Sequence, residues 1–122
     1  MVLVDTSVWI RFLANRSPFA GKLGALLAGD EVVGHQLVYG ELLIGDLGGR
    51  TEVLEAYAKL PQATPIPHRE VAALVRARRL NGRGAGWIDM HLLASAIVGR
   101  FSLWTADVRF AAIARELGVQ HD

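Results

Sequence analysis

The spacing of apolar positions changes several times along the chain. Val2-Leu3-Val4 is a continuous apolar run ending at Asp5, as in a strand buried on both faces. From Thr6 or Ser7, either of which can cap a helix, Val8, Trp9, Phe12 and Leu13 recur at helical spacing to about Asn15. Pro18 stands where a first helical turn tolerates proline, and Leu23, Leu26 and Leu27 follow before Gly29-Asp30 interrupts. Glu31 to Val33 predicts a brief second strand. Helical spacing returns over Gln36–Ile44 and from Thr51 to Leu60, with Gly48-Gly49 as the turn between.

Pro61, Pro65 and Pro67 punctuate a connection in which Thr64 to Ile66 is expected to form a short strand. A long helix from about His68 to Leu80 turns Val71, Leu74, Val75 and Leu80 inward, and the Gly-rich Asn81 to Gly86 ends it. A helix over Ile88 to Val98, a strand over Ser102 to Thr105 and a helix over Asp107 to Leu117 follow, with Val119-Gln120 as an edge strand. Short strands alternating with helices define an α/β fold with a parallel sheet covered on both faces. At 122 residues one domain over residues 1–122 is expected. Ligands of such sheets bind beyond the carboxyl ends of the strands. Asp5 and Asp107 both fall at that rim.

Composition narrows the classes. There is no cysteine, which excludes a disulfide scaffold, a Cys-based zinc site and a cysteine nucleophile. Hydrophobic residues make up 52% of the chain, which points either to a core rich in Ala and Leu or to apolar surface buried against another chain. The net charge of +1 does not advertise nucleic-acid binding. Arginine dominates the basic residues, which suits phosphate contacts, but a GC-rich coding bias is the better account of that count by itself. No apolar run approaches the roughly 20 residues of a membrane span, and the opening residues read as a strand rather than a signal peptide. A cytoplasmic protein without a membrane partner is the expectation.

Four acidic residues sit where a solvated surface explains them poorly. Asp5 ends an apolar strand, Glu41 lies among Leu37, Val38, Leu42, Leu43 and Ile44, Asp89 among Trp87, Ile88 and Met90, and Asp107 after Trp104-Thr105-Ala106. Two carboxylates ~5 Å apart repel by roughly 3 kcal/mol at an effective dielectric near 20. Mg²⁺ or Mn²⁺ removes that repulsion, prefers oxygen ligands, and keeps waters for chemistry on a phosphodiester. Ser7 and Thr105, each two residues from an acid, can orient a carboxylate. Taken singly, Asp5, Asp89 and Asp107 serve equally well as helix caps. Glu41, inside a helix, does not.

Four segments carry a resemblance: Val4-Asp5-Thr6-Ser7-Val8-Trp9-Ile10, Tyr39-Gly40-Glu41-Leu42-Leu43-Ile44-Gly45, Ile88 through Ala96, and Leu103-Trp104-Thr105-Ala106-Asp107. In order and spacing they resemble PIN-domain ribonucleases, and more closely the VapC toxins of VapBC toxin–antitoxin pairs. The resemblance implies a three-layer PIN-like fold with a short central parallel sheet flanked by helices. It further implies that Asp5, Glu41, Asp89 and Asp107 hold Mg²⁺ or Mn²⁺ for cleavage of RNA by water. Ser7 matches a position where many members have Asn, and Thr105 the hydroxyl of the T-x-D pattern. A homodimer and a cognate VapB-like antitoxin are implied partners, and both would cover apolar surface.

Arg76, Arg79 and Arg83, spaced i, i+3, i+7, are candidate RNA contacts, or else a solvated helix face. The Asn81-to-Gly86 run lacks the Gly-Lys-Ser/Thr of a P-loop. His35, His68, His91 and His121 include no H-x-x-x-H pair, which disfavours zinc, and Ser7 as nucleophile has no identifiable base. Trp9, Trp87 and Trp104 adjoin apolar runs and read as core or dimer contacts. A phosphoacceptor receiver domain needs a late lysine that Lys22 and Lys59 do not supply. The competing class is a non-catalytic α/β binding module whose acids are structural.

Overall fold

The computed structural model describes all residues, 1–122. They form β1 (Val2–Val4), α1 (Thr6–Leu13), α2 (Phe19–Ala28), β2 (Val32–Val33), α3 (Gln36–Ile44), α4 (Thr51–Ala58), α5 (His68–Arg78), α6 (Trp87–Gly99), β3 (Ser102–Trp104) and α7 (Val108–Glu116). The parallel sheet has the order β2-β1-β3. Val2 pairs with Val32 and Ser102, Leu3 with Val33 and Leu103, and Val4 with Trp104. A central parallel strand is covered on every side, which is why all three residues of β1 are apolar and buried. Beyond β1 the ladder continues for one bond, Asp5 N–H donating to the Trp104 carbonyl at 2.8 Å. The first acid therefore leaves the sheet beside the end of β3.

Helices cover the sheet and share one core with it. Within α6, Met90 through Ala96 are all buried, as in a helix apolar around its whole circumference. That helix takes up part of the hydrophobic surplus. The rest is at the surface, above all at the end of α3 and the loop after it, where Ile44 is 89% and Leu47 103% exposed. No helix is long and apolar enough to cross a membrane.

A fully satisfied polar knot lies in the core. His35 N–H donates to Tyr57 Oη at 2.8 Å, and Tyr57 O–H donates back to the His35 carbonyl at 3.3 Å. His35 Nδ1 accepts from Leu37 N–H at 3.1 Å, which leaves the Nε2 proton for Ser95 Oγ at 3.1 Å. Ser95 in turn donates to the Thr64 carbonyl at 2.8 Å. Burial, with a smaller effect from His91, pushes the His35 imidazole down to about 4, so it is neutral.

Four local expectations are corrected. Thr64 to Ile66 is not a strand, because Pro65 and Pro67 flank Ile66 and have no N–H to give; the sheet edge is met instead at Gln62, bridged to Gly34. Val119-Gln120 contributes a single bridge to Leu103 rather than a strand. The cap position of α1 is Asp5, not Thr6 or Ser7, and its side chain makes no capping bond. Finally, α5 stops at Arg78 and Arg79 turns left-handed (φ 53°), so Arg76, Arg79 and Arg83 do not share one helical face.

Candidate active site

Four chain segments bring the acids to one rim. Asp5 follows β1, Glu41 lies in α3, Asp89 in the first turn of α6, and Asp107 precedes α7 as its N-cap. Asp5 is 5% exposed. Its Oδ2 accepts from Ser7 Oγ at 2.7 Å and Thr105 Oγ1 at 2.8 Å. Ser7 Oγ also accepts from Ala106 N–H at 3.0 Å, and Thr105 Oγ1 from Asp107 N–H at 3.0 Å. Two hydroxyls thus fix one carboxylate and fasten it to the segment carrying another.

Glu41 Oε1 accepts from Thr6 Oγ1 at 2.6 Å, a contact across 35 residues that ties α3 to the residue after Asp5. Thr6 is a site residue that sequence reasoning missed; its adjacency to Asp5 was the available signal. Asp89 Oδ2 accepts from Gly86 N–H at 2.9 Å, and Asp107 Oδ1 caps α7 through Arg109 N–H at 2.8 Å and Phe110 N–H at 3.2 Å. The capping role is therefore real for Asp89 and Asp107, and absent for Asp5 and Glu41.

Each of the four carboxylates has one oxygen held by a protein donor and a second oxygen with no protein hydrogen bond. None has a cationic partner, for the molecule's one ion pair joins Arg83 to Glu116 at 2.7 Å. The consequence registers at Asp89, whose carboxyl is pushed up to about 6. Burial is the main cause, opposed by the Gly86 N–H and reinforced by the charges of Asp5, Asp107 and Glu41. Asp89 feels all three other acids at once, which is the mark of a converging set.

The donors are all oxygen, as a hard divalent cation such as Mg²⁺ or Mn²⁺ requires. No three Asp, Glu or His side chains close into a cage. Mg²⁺ does not ask for one, since it retains several waters and takes only one or two carboxylates directly.

The remaining candidates are dispersed. Arg76 and Arg79 are exposed, while Arg83 is committed to Glu116. The loop holding Arg83 also packs closely against α7 at Gly84 (φ +87°), where a Cβ would come within 2.5 Å of Arg109 Cδ. This loop leads into α6 and meets α7 at its last residue, Glu116, and beside the Arg109 side chain near its start. Among the aromatics, Trp9 is core, but Trp87 is 47% exposed and stacks on His68. His68 Nδ1 lies 2.8 Å from His91 Nε2, and His121 packs against Trp104.

A short parallel sheet whose carboxyl-end rim gathers unpaired acids defines a class, and comparison with known proteins gives it a name. A PIN domain family model matches residues 2–116. Ribonuclease VapC32, from each of two strains of Mycobacterium tuberculosis, is 46% identical over 120 residues, which cover 98% of this chain and 94% of the relative. The chain belongs to the PIN-domain family, among its VapC ribonucleases.

Proposed function

We propose that residues 1–122 act as one PIN domain, a cytoplasmic Mg²⁺- or Mn²⁺-dependent endoribonuclease toxin of a type II toxin–antitoxin system. The observation that carries this reading is the set of four carboxylates, each with a free oxygen, that repel one another without any cationic partner. Asp5, Glu41, Asp89 and Asp107 would hold the metal, one or two of them directly and the rest through its waters. Bound there, it would supply activation of a water for attack on an RNA phosphodiester and offset charge on the leaving oxygen. Ser7 and Thr105 fix Asp5 from one side, and Thr6 does the same for Glu41. With these oxygens oriented beforehand, little reorganisation is left for the moment of reaction.

A cognate VapB-like antitoxin and a second copy of the chain are the proposed protein partners. The exposed Leu43, Ile44 and Leu47 support a protein contact at the end of α3. Arg76 and Arg79 remain candidate RNA contacts, whereas the Glu116 pairing argues against Arg83.

The caps made by Asp89 and Asp107 favour one other reading, a non-catalytic module with structural acids. One assay separates the two. Wild type, Asp5→Asn and Asp89→Asn are incubated with structured RNA, with Mn²⁺ or with EDTA. Metal-dependent cleavage by wild type, reduced roughly 10³-fold in both variants, is expected. Cleavage that survives EDTA, or cleavage by both variants at the wild-type rate, would falsify the mechanism.

A further inference from the structure

Next to the acids lies a cleft of about 350 Å³ between the start of α2 and one face of α7. Thr105 and Asp107 form its head. Val108, Ala111, Ala112 and Arg115 line it at i, i+3, i+4 and i+7, and Phe19 faces them. At 1.5 Å rise per residue, Arg115 stands about 12 Å along the helix from Asp107. A short stretch of single strand, advancing about 3.4 Å per nucleotide when stacked and more when extended, bridges that distance.

The chemistry changes along the cleft in a nucleotide's order. Its head shares Asp107 with the metal-holding set. Its middle is apolar and roomy, because two alanines stand where larger side chains would fill the space. Phe19 is a braced wall: its ring stacks on Trp104 (centroids 6.1 Å apart, planes at 23°), with the Arg11 guanidinium 5.4 Å from its centroid. At the far end, Arg115 Nε donates to Gln120 Oε1 at 3.0 Å. It has no ion pair, so its terminal N–H groups are available to an anion.

We propose that this cleft binds the RNA nucleotide flanking the scissile phosphate, its base over Ala111 and Ala112 against Phe19 and a neighbouring phosphate on Arg115. The inference rests on the ribonuclease reading above and adds the direction in which the strand leaves the acids. Arg115, rather than Arg83, becomes the cation that meets the backbone.

The test uses the Asp89→Asn protein, which retains the cleft, and a fluorescent single-stranded RNA followed by anisotropy. Adding Ala112→Trp or Arg115→Gln, both at exposed positions, should weaken binding about tenfold without changing the melting temperature. Arg115→Gln should also flatten the plot of log affinity against log salt by about 0.7, the share of one phosphate on a single strand, and Arg115→Lys should restore it. Unchanged affinity and salt slope in both variants overturn the cleft, even where the wild-type chain cuts RNA. Weakened binding alongside a wild type that cuts nothing supports the cleft and overturns the nuclease reading instead.

Discussion

Two polar clusters in this small protein meet burial in opposite ways. In the knot around His35 every polar group has a protein partner, and the imidazole gives up its charge. At the sheet rim four carboxylates keep one oxygen each unbonded, and Asp89 is pushed toward protonation chiefly by burial and further by neighbours of its own sign. A satisfied neutral network fixes a structure, since breaking it strands buried groups. A cluster of like charges spends stability, a cost that a bound cation would offset under the function proposed here.

Substituting one member of each cluster should lower stability in one and not in the other. His35→Ala removes partners from Ser95 and the Leu37 amide and opens a cavity, so a loss of about 3 kcal/mol is expected in urea unfolding. Asp89→Asn, measured in EDTA, should leave stability unchanged or raise it. The amide oxygen can still accept from Gly86, while one of four mutually repelling charges is gone. A large loss in Asp89→Asn would mean that the rim acid is structural and would end the contrast.

Acid titration sharpens the comparison. The unfolded His35 takes a proton near 6.5 and the folded one only near 4, so its contribution is complete above 6.5 and fades as pH falls toward 4, by at most about 3 kcal/mol. Asp89 runs the other way: the folded carboxyl binds its proton near 6 and the unfolded one near 3.8, so folding gains as pH falls through that window. Unfolding in EDTA between pH 6.5 and 4 should therefore show a steeper acid loss for Asp89→Asn than for wild type. The smallest expected effect belongs to Thr105→Val, which keeps the fold but frees Asp5 from one of its two hydroxyls. Mn²⁺ affinity, by calorimetry, should fall between about 10- and 100-fold.

Much of this was legible in the chain because buried strands and helices leave apolar runs. Gln36–Ile44 is the helix its spacing predicts, and Val2–Val4 the strand. The α/β fold with a covered parallel sheet followed from the alternation of elements, the resemblance to PIN-domain ribonucleases implied its three layers, and the PIN domain match over residues 2–116 agrees with both. Features set by a single backbone torsion or by long-range contact were not legible. Arg79 in the left-handed region ends the basic stripe that a continuing helix would have aligned. The reach of Thr6 to Glu41 depends on how α1 and α3 cross, which no local pattern encodes. The rim position of Asp5 and Asp107 was readable from strand ends; which oxygen of each stays free was not.

The Thr105–Asp5 hydrogen bond spans 100 residues, and the strand that brings it into place, β3, is the last to be laid down. A ribosome making this protein thus releases Asp5 and Ser7 about 100 residues before Thr105, the second hydroxyl that orients the carboxylate. Under the function proposed here, a nascent chain that has not yet passed β3 has no assembled cutting centre, because Asp5 still lacks Thr105 and the segment that carries Asp107.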